Sequence, residues 1–105
     1  MQNISVEELV KKHDADPDFV LVDVRDADEL ETVKVGWATW IPMAEIPQRL
    51  DELEKDAEIA VMCHHGGRSA RVAAYLTAQG FSHVYNVDGG VDAYAERIDP
   101  ALARY

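Results

Sequence analysis

Apolar positions along the chain change period several times, and each change marks an element. Val6, Leu9 and Val10 share one face of a 3.6-residue turn, and Ser5 with Glu8 forms a capping box. A helix is therefore predicted from Val6 to about His13, behind a short edge strand at Ile4, with His13 exposed at the helix end. Asp14 to Asp18, with Pro17, reads as a loop. Phe19-Val20-Leu21-Val22-Asp23-Val24 is nearly continuous in apolar residues, as in a parallel strand covered on both faces. A short helix is expected over Asp26 to Glu31, and a short strand over Thr39-Trp40-Ile41, ended by Pro42. Ile46, Leu50 and Leu53 lie at i, i+4 and i+7, which predicts an amphipathic helix from Ala44 to Glu54 with Pro47 in its first turn. Ile59 to Cys63 is a second buried strand. Ser69 to Gln79 is a helix stopped by Gly80, with Val72, Ala73 and Leu76 inward and Arg71 and Gln79 outward. Val84 to Val87 is a last strand. Asp88-Gly89-Gly90 then turns into a helix that runs to about Arg97, and Ala101 to Tyr105 carry no pattern. Short strands alternating with helices predict an α/β fold, a parallel sheet with helices on both faces.

Composition narrows the class. The chain has 105 residues and is 48% hydrophobic, enough for one compact core, so a single domain over residues 1–105 is expected. No apolar run nears the ~20 residues of a membrane-spanning helix. The N-terminus has neither the basic start nor the apolar core of a signal peptide. The lone cysteine cannot form an internal disulfide and fits a reducing compartment, so the cytoplasm is the expected location. Twenty Asp and Glu stand against ten Lys and Arg, a net charge of −10, which argues against nucleic acid and anionic membranes as partners. The same charge repels small anions at long range unless a local positive potential draws them in. A basic protein partner is compatible with it, and so is plain solubility.

The candidate chemistry gathers at Cys63. A cysteine after an apolar run is by itself an ordinary small buried hydrophobe. Here it is followed by His64-His65-Gly66-Gly67-Arg68-Ser69, a loop that packing alone does not require. The thiol is placed at the carboxyl end of a strand and just ahead of a helix, the edge where open α/β sheets bind ligands. The first N–H groups of a helix have no intrahelical partner and, with the helix dipole, favour negative charge. A thiol held there ionises more readily, and the thiolate is the reactive form. Gly66 and Gly67 can take positive φ, which lets a tight loop turn several N–H groups inward as an anion nest. Arg68 stands where the dipole disfavours a cation, so an anion or a carboxylate should face it. Asp23 and Arg25 share the same rim, where they either pair with neighbours and organise loops or tune the thiol. Cys63, His64 and His65 are poorly spaced as ligands for a tetrahedral zinc site, so no metal and no other cofactor is expected.

Cys63 through Ser69 resembles the active-site loop of the rhodanese family of sulfurtransferases. Leu21-Val22-Asp23-Val24-Arg25, with Glu29 four residues on, resembles that family's second-strand signature. Gly80-Phe81 and Val84 to Tyr94 resemble its C-terminal signature. The resemblance runs from about Ile4 to Tyr94 and implies five parallel strands in the rhodanese topology. The chain departs from the family at Val33-Lys34-Val35-Gly36-Trp37-Ala38, where members carry Gly-His-Ile-Pro-Gly-Ala; Trp37 and Trp40 are read as packing residues.

The resemblance implies sulfur transfer through a Cys63 persulfide. The donor would be thiosulfate, a polysulfide or another persulfide, and the acceptor cyanide, a thiol or a sulfur-carrier protein. His64 to Arg68 would cradle the terminal sulfur with backbone N–H groups. Arg68 would either bind the donor's anionic end or brace the loop against a carboxylate. His64 and His65 would either donate N–H groups and exchange protons or stand as exposed loop residues. Two other classes stay open: a docking or regulatory module on the same fold, and an oxyanion enzyme of the arsenate reductase or phosphatase kind. The second is opposed by loop length, since four residues separate Cys63 from Arg68 where tyrosine phosphatases have five.

Overall fold

A computed structural model describes residues 1–105. Its strands are β1 (Gln2–Ile4), β2 (Val20–Asp23), β3 (Thr39–Trp40), β4 (Glu58–Met62) and β5 (His83–Val87). Its helices are α1 (Val6–Ala15), α2 (Ala27–Thr32), α3 (Gly67–Ala78) and α4 (Gly90–Arg97). The strands form one five-stranded sheet in the order β1-β5-β4-β2-β3, with every pairing parallel. The α/β architecture expected from the sequence is the one observed.

The two-residue alternation along β4 decides where the thiol points. Ile59, Val61 and Cys63 join the core on one face, with Val72, Ala73 and Leu76 of α3 and Ile46. Ala60 and Met62 join the other, with Val6 and Leu9 of α1 and Val91 of α4. Cys63 is thus carried onto the face of α3, directly ahead of that helix. β2 pairs with β4 in the register Asp23 to Met62, so Asp23 and Arg25 end at the same rim. The Ser5–Glu8 capping box forms, with both bonds at 3.1 Å.

The predicted helix from Ala44 to Glu54 is not α-helical. Two short 3-10 helices, Met43–Gln48 and Leu50–Glu52, stand there. Pro47 lies inside the first, where its missing N–H cannot support a continuous i to i−4 ladder. Ile46 is still buried, and Leu50 and Leu53 still pack against the core. Trp37 packs as expected, stacked on His13 at 3.7 Å, so His13 is covered rather than free. Trp40 does not: it is 40% exposed, and only its indole N–H is held, by the Arg25 carbonyl at 2.8 Å. In the stretch that departs from the family, Val33 and Val35 are buried and Lys34 is exposed. No helix is long and apolar enough to cross a membrane.

Candidate active site

The loop after β4 wraps its own sulfur. Gly66 takes φ 121° and caps α3, and its N–H donates to Cys63 Sγ at 3.1 Å. Gly67 does not use its freedom to take positive φ and has ordinary helical backbone as the first residue of α3. The loop is fixed from behind by α4. The Val91 and Asp92 N–H groups, which have no partner within their own helix, donate to the carbonyls of Cys63 and His64 at 2.9 and 3.1 Å. Gly90, at φ 57°, permits this approach, since a Cβ there would collide with both carbonyl oxygens. With those carbonyls turned toward α4, the loop N–H groups are left to face the sulfur. Burial pushes the Cys63 thiol up, but the Ser69 hydroxyl and the N–H groups of Ser69, Gly66 and His65 outweigh it and leave the thiol below its ordinary value.

A buried polar chain continues from the sulfur. Cys63 Sγ lies 3.3 Å from Ser69 Oγ, which donates to Asn86 Oδ1 at 2.5 Å. The Asn86 amide N–H groups go to Asn3 Oδ1 and the Gly66 carbonyl at 3.1 and 3.3 Å, which fixes the amide with its oxygen toward Ser69. The Ser69 hydroxyl has one proton. When Cys63 is a thiol, that proton serves Asn86; the thiolate draws it over. Without that donor the thiolate loses a hydrogen bond, so Ser69→Ala is expected to raise the Cys63 pKa. The alkylation rate against pH would shift to higher pH and fall at pH 7. An unchanged profile would remove Ser69 from the account.

Arg68 braces the loop. Its guanidinium meets Glu29 of α2 in a two-pronged pair at 2.6 and 2.8 Å. That pairing holds the Glu29 carboxyl down to about 2, against the cost of burial and with help from Tyr105 and the Asp26 N–H. Asp23 and Arg25 do not reach the thiol. They pair with each other, Arg25 Nε with Oδ1 at 3.0 Å and Nη2 with Oδ2 at 2.7 Å, at 1% and 0% exposure. Arg25 also donates to the Val33 carbonyl at 2.8 Å and to the Tyr105 hydroxyl at 3.0 Å. Burial disfavours its charge, but Asp23 and Tyr105 more than restore it.

The histidines stand at the mouth. The His64 ring lies between the rings of His65 and Tyr105, at 3.8 Å from each. Ligand atoms of His64, His65 and Asp92 lie within 4.8 Å of one another. A shared metal must lie in the plane of both imidazoles, and rings stacked with 29° between their planes do not allow it. Asp92 is already paired with Arg104 at 2.9 and 3.0 Å. A surface cleft of about 680 Å³ opens at the opposite edge of the sheet beside Asp16, Glu52 and Glu58 and shares no residue with the Cys63 loop.

Cys63, His64, His65, Gly66, Gly67, Arg68 and Ser69 all lie where β4 runs into α3. The sequence pointed to neither Asn86 nor Tyr105, and it placed the Asp88-Gly89-Gly90 turn at the same strand edge without marking Gly90 as the seat of the loop. The alternation of β5 held a signal for Asn86, since Val84 joins the core on the α3 face and Asn86 lies two residues on. Comparison with known proteins finds the Rhodanese-like domain family over residues 5–97. The chain is 37% identical to the putative sulfurtransferase YtwF of Bacillus subtilis, over 95% of this chain and 96% of that one. It is 35% identical to the chloroplastic Rhodanese-like/PpiC domain-containing protein 12 of Arabidopsis thaliana, of which it spans only 38%. Among solved structures, a rhodanese-like domain protein of Staphylococcus aureus superposes with a TM-score of 0.85 at 33% identity, covering 100% of this chain and 99% of that one.

Proposed function

The chain belongs to the rhodanese-like domain family, and from that premise we propose that residues 1–105 form one sulfurtransferase domain acting through a Cys63 persulfide. The observation that carries the reading is the thiol itself: buried, yet surrounded by enough N–H and O–H donors to hold it below its ordinary pKa. The Cys63 thiolate attacks the outer sulfur of a sulfane donor. The new bond is Cys63 S–S, the donor's own bond to that sulfur breaks, and its electron pair leaves with the remainder, sulfite from thiosulfate or a thiolate from a persulfide. An acceptor thiolate or cyanide then attacks the terminal sulfur and returns Cys63 as thiolate. The negative terminal sulfur would sit among the loop N–H groups. No electrons enter or leave overall. A free thiol needs reducing surroundings, which fits the cytoplasm.

The donor is better drawn as a thiol persulfide than as thiosulfate. Three arginines around the loop are already paired: Arg25 with Asp23, Arg68 with Glu29 and Arg104 with Asp92, while Arg71, on the second turn of α3, has no carboxylate partner. None of those three guanidiniums is free for the two negative charges of thiosulfate, and the net charge of −10 repels them. Initial rates with thiosulfate and with cysteamine persulfide, whose ammonium and persulfide charges cancel, each at varied cyanide, test this. Parallel double-reciprocal lines for a two-step exchange are expected with both donors. The kcat/KM for the persulfide should exceed that for thiosulfate, and added salt should raise the thiosulfate rate. A salt-insensitive preference for thiosulfate would refute the assignment. No transfer with either donor would favour the docking module.

A further inference from the structure

Tyr105 bridges the two walls of the site. Its ring lies flat on His64, the residue after Cys63, at 3.8 Å and 6° between planes. Its hydroxyl donates to Glu29 Oε2 at 2.6 Å and accepts from Arg25 Nη1 at 3.0 Å. One end of the side chain therefore rests on the loop, the other on the rim of β2 and α2. Beside it, Arg104 is clipped to α4 through Asp92 at 2.9 and 3.0 Å and Glu96 at 3.6 Å. Cys63, next in the chain to the stacked His64, is 1% exposed.

We propose that Tyr105 is a specificity-determining residue, whose ring must leave His64 before a donor bulkier than an inorganic sulfane reaches Cys63. The inference rests on Cys63 being the sulfur-carrying thiol and names which donors that thiol can meet. The contacts that hold Tyr105 are made to be exchanged with water. Tyr105 is 42% exposed and the Arg104 side chain 50%, so solvent and salt weaken the strap. The brace underneath does not depend on it. When Tyr105 leaves, Glu29 keeps both bonds to Arg68, and Arg25 keeps Asp23 and the Val33 carbonyl. Opening thus uncovers the thiol without undoing the loop. A donor that binds only the open form sees its affinity reduced by the open fraction.

Because Cys63 is the chain's one cysteine, its alkylation reads the gate without any sulfur donor. Rates are measured with iodoacetamide, which is small, and fluorescein maleimide, which is bulky. The ratio of the two cancels any change in thiolate fraction. For a mouth open about a tenth of the time, Tyr105→Ala raises the bulky-to-small ratio about tenfold. Arg104→Ala, which loosens the strap and leaves the ring in place, raises it less; it also gives the reading if Tyr105→Ala does not fold. In the transfer assay, Tyr105→Ala lowers KM for glutathione persulfide and leaves KM for inorganic polysulfide unchanged. Equal bulky-to-small ratios in the wild type and every folded variant would overturn the proposal. If no donor places sulfur on Cys63 but the ratio still rises, the gate stands and the transfer reading fails.

Discussion

Arg25→Ala is expected to cost about 3–5 kcal/mol of stability, the largest loss from any single side chain at this rim. Arg25 is fully buried and holds Asp23 with three side-chain bonds, two from Nε at 3.0 and 3.2 Å and one from Nη2 at 2.7 Å. Removing it leaves the Asp23 carboxylate in a dry site with its main partner gone, and the Val33 carbonyl without its donor. The pair itself is not a large net stabiliser, since desolvating both charges offsets most of their attraction. The loss comes from breaking it. Each kcal/mol moves Tm by about 4–8 °C in a domain of this size, so a fall of more than about 12 °C is expected. Asp23→Asn should act in the same direction by leaving Arg25 charged without a full counter-charge. A loss under about 1 kcal/mol for Arg25→Ala would mean that water or a relocated cation takes the guanidinium's place beside Asp23.

Cys63→Ser should abolish sulfur transfer while leaving the fold in place. Serine is slightly smaller than cysteine but sets a hydroxyl close to the thiol's position, so Gly66 N–H and Ser69 retain a partner. A hydroxyl is not ionised near neutral pH and is a poor nucleophile toward sulfur, so the rate with any sulfane donor should fall to the level without enzyme. Tm should stay close to that of the wild type. Residual turnover above that level would require a second nucleophile, and the chain holds no second cysteine.

Much of this site is local in sequence, and that part is legible in the order of the residues alone. The strand, the cysteine, the glycine-bearing loop and the helix follow one another from Ile59 to Gln79, and each is marked by its own period or breaker. The partners that complete the site are remote. Ser69 and Asn86 are 17 residues apart, Arg68 and Glu29 39, Arg25 and Tyr105 80. Nothing in the local pattern distinguishes an arginine that faces a ligand from one that faces Glu29. The misread helix from Ala44 to Glu54 has a different cause. Ile46, Leu50 and Leu53 make a buried stripe that successive 3-10 turns also satisfy, and Pro47 tips the backbone that way. Gly67 looks like Gly66 in sequence, yet the turn needs only one residue at positive φ before α3 begins. The tail offers no periodicity at all, because Arg104 and Tyr105 are held by polar side-chain contacts and one ring stack rather than by an apolar face.

The central claim is that Cys63 carries sulfur, and intact mass tests it most directly. The reduced protein is incubated with glutathione persulfide or thiosulfate, freed of excess donor and weighed beside Cys63→Ser. The wild type is expected to gain one sulfur atom, to lose it completely to cyanide, and the variant to gain none. An equal gain on Cys63→Ser, or a wild type that gains nothing from either donor, would contradict it.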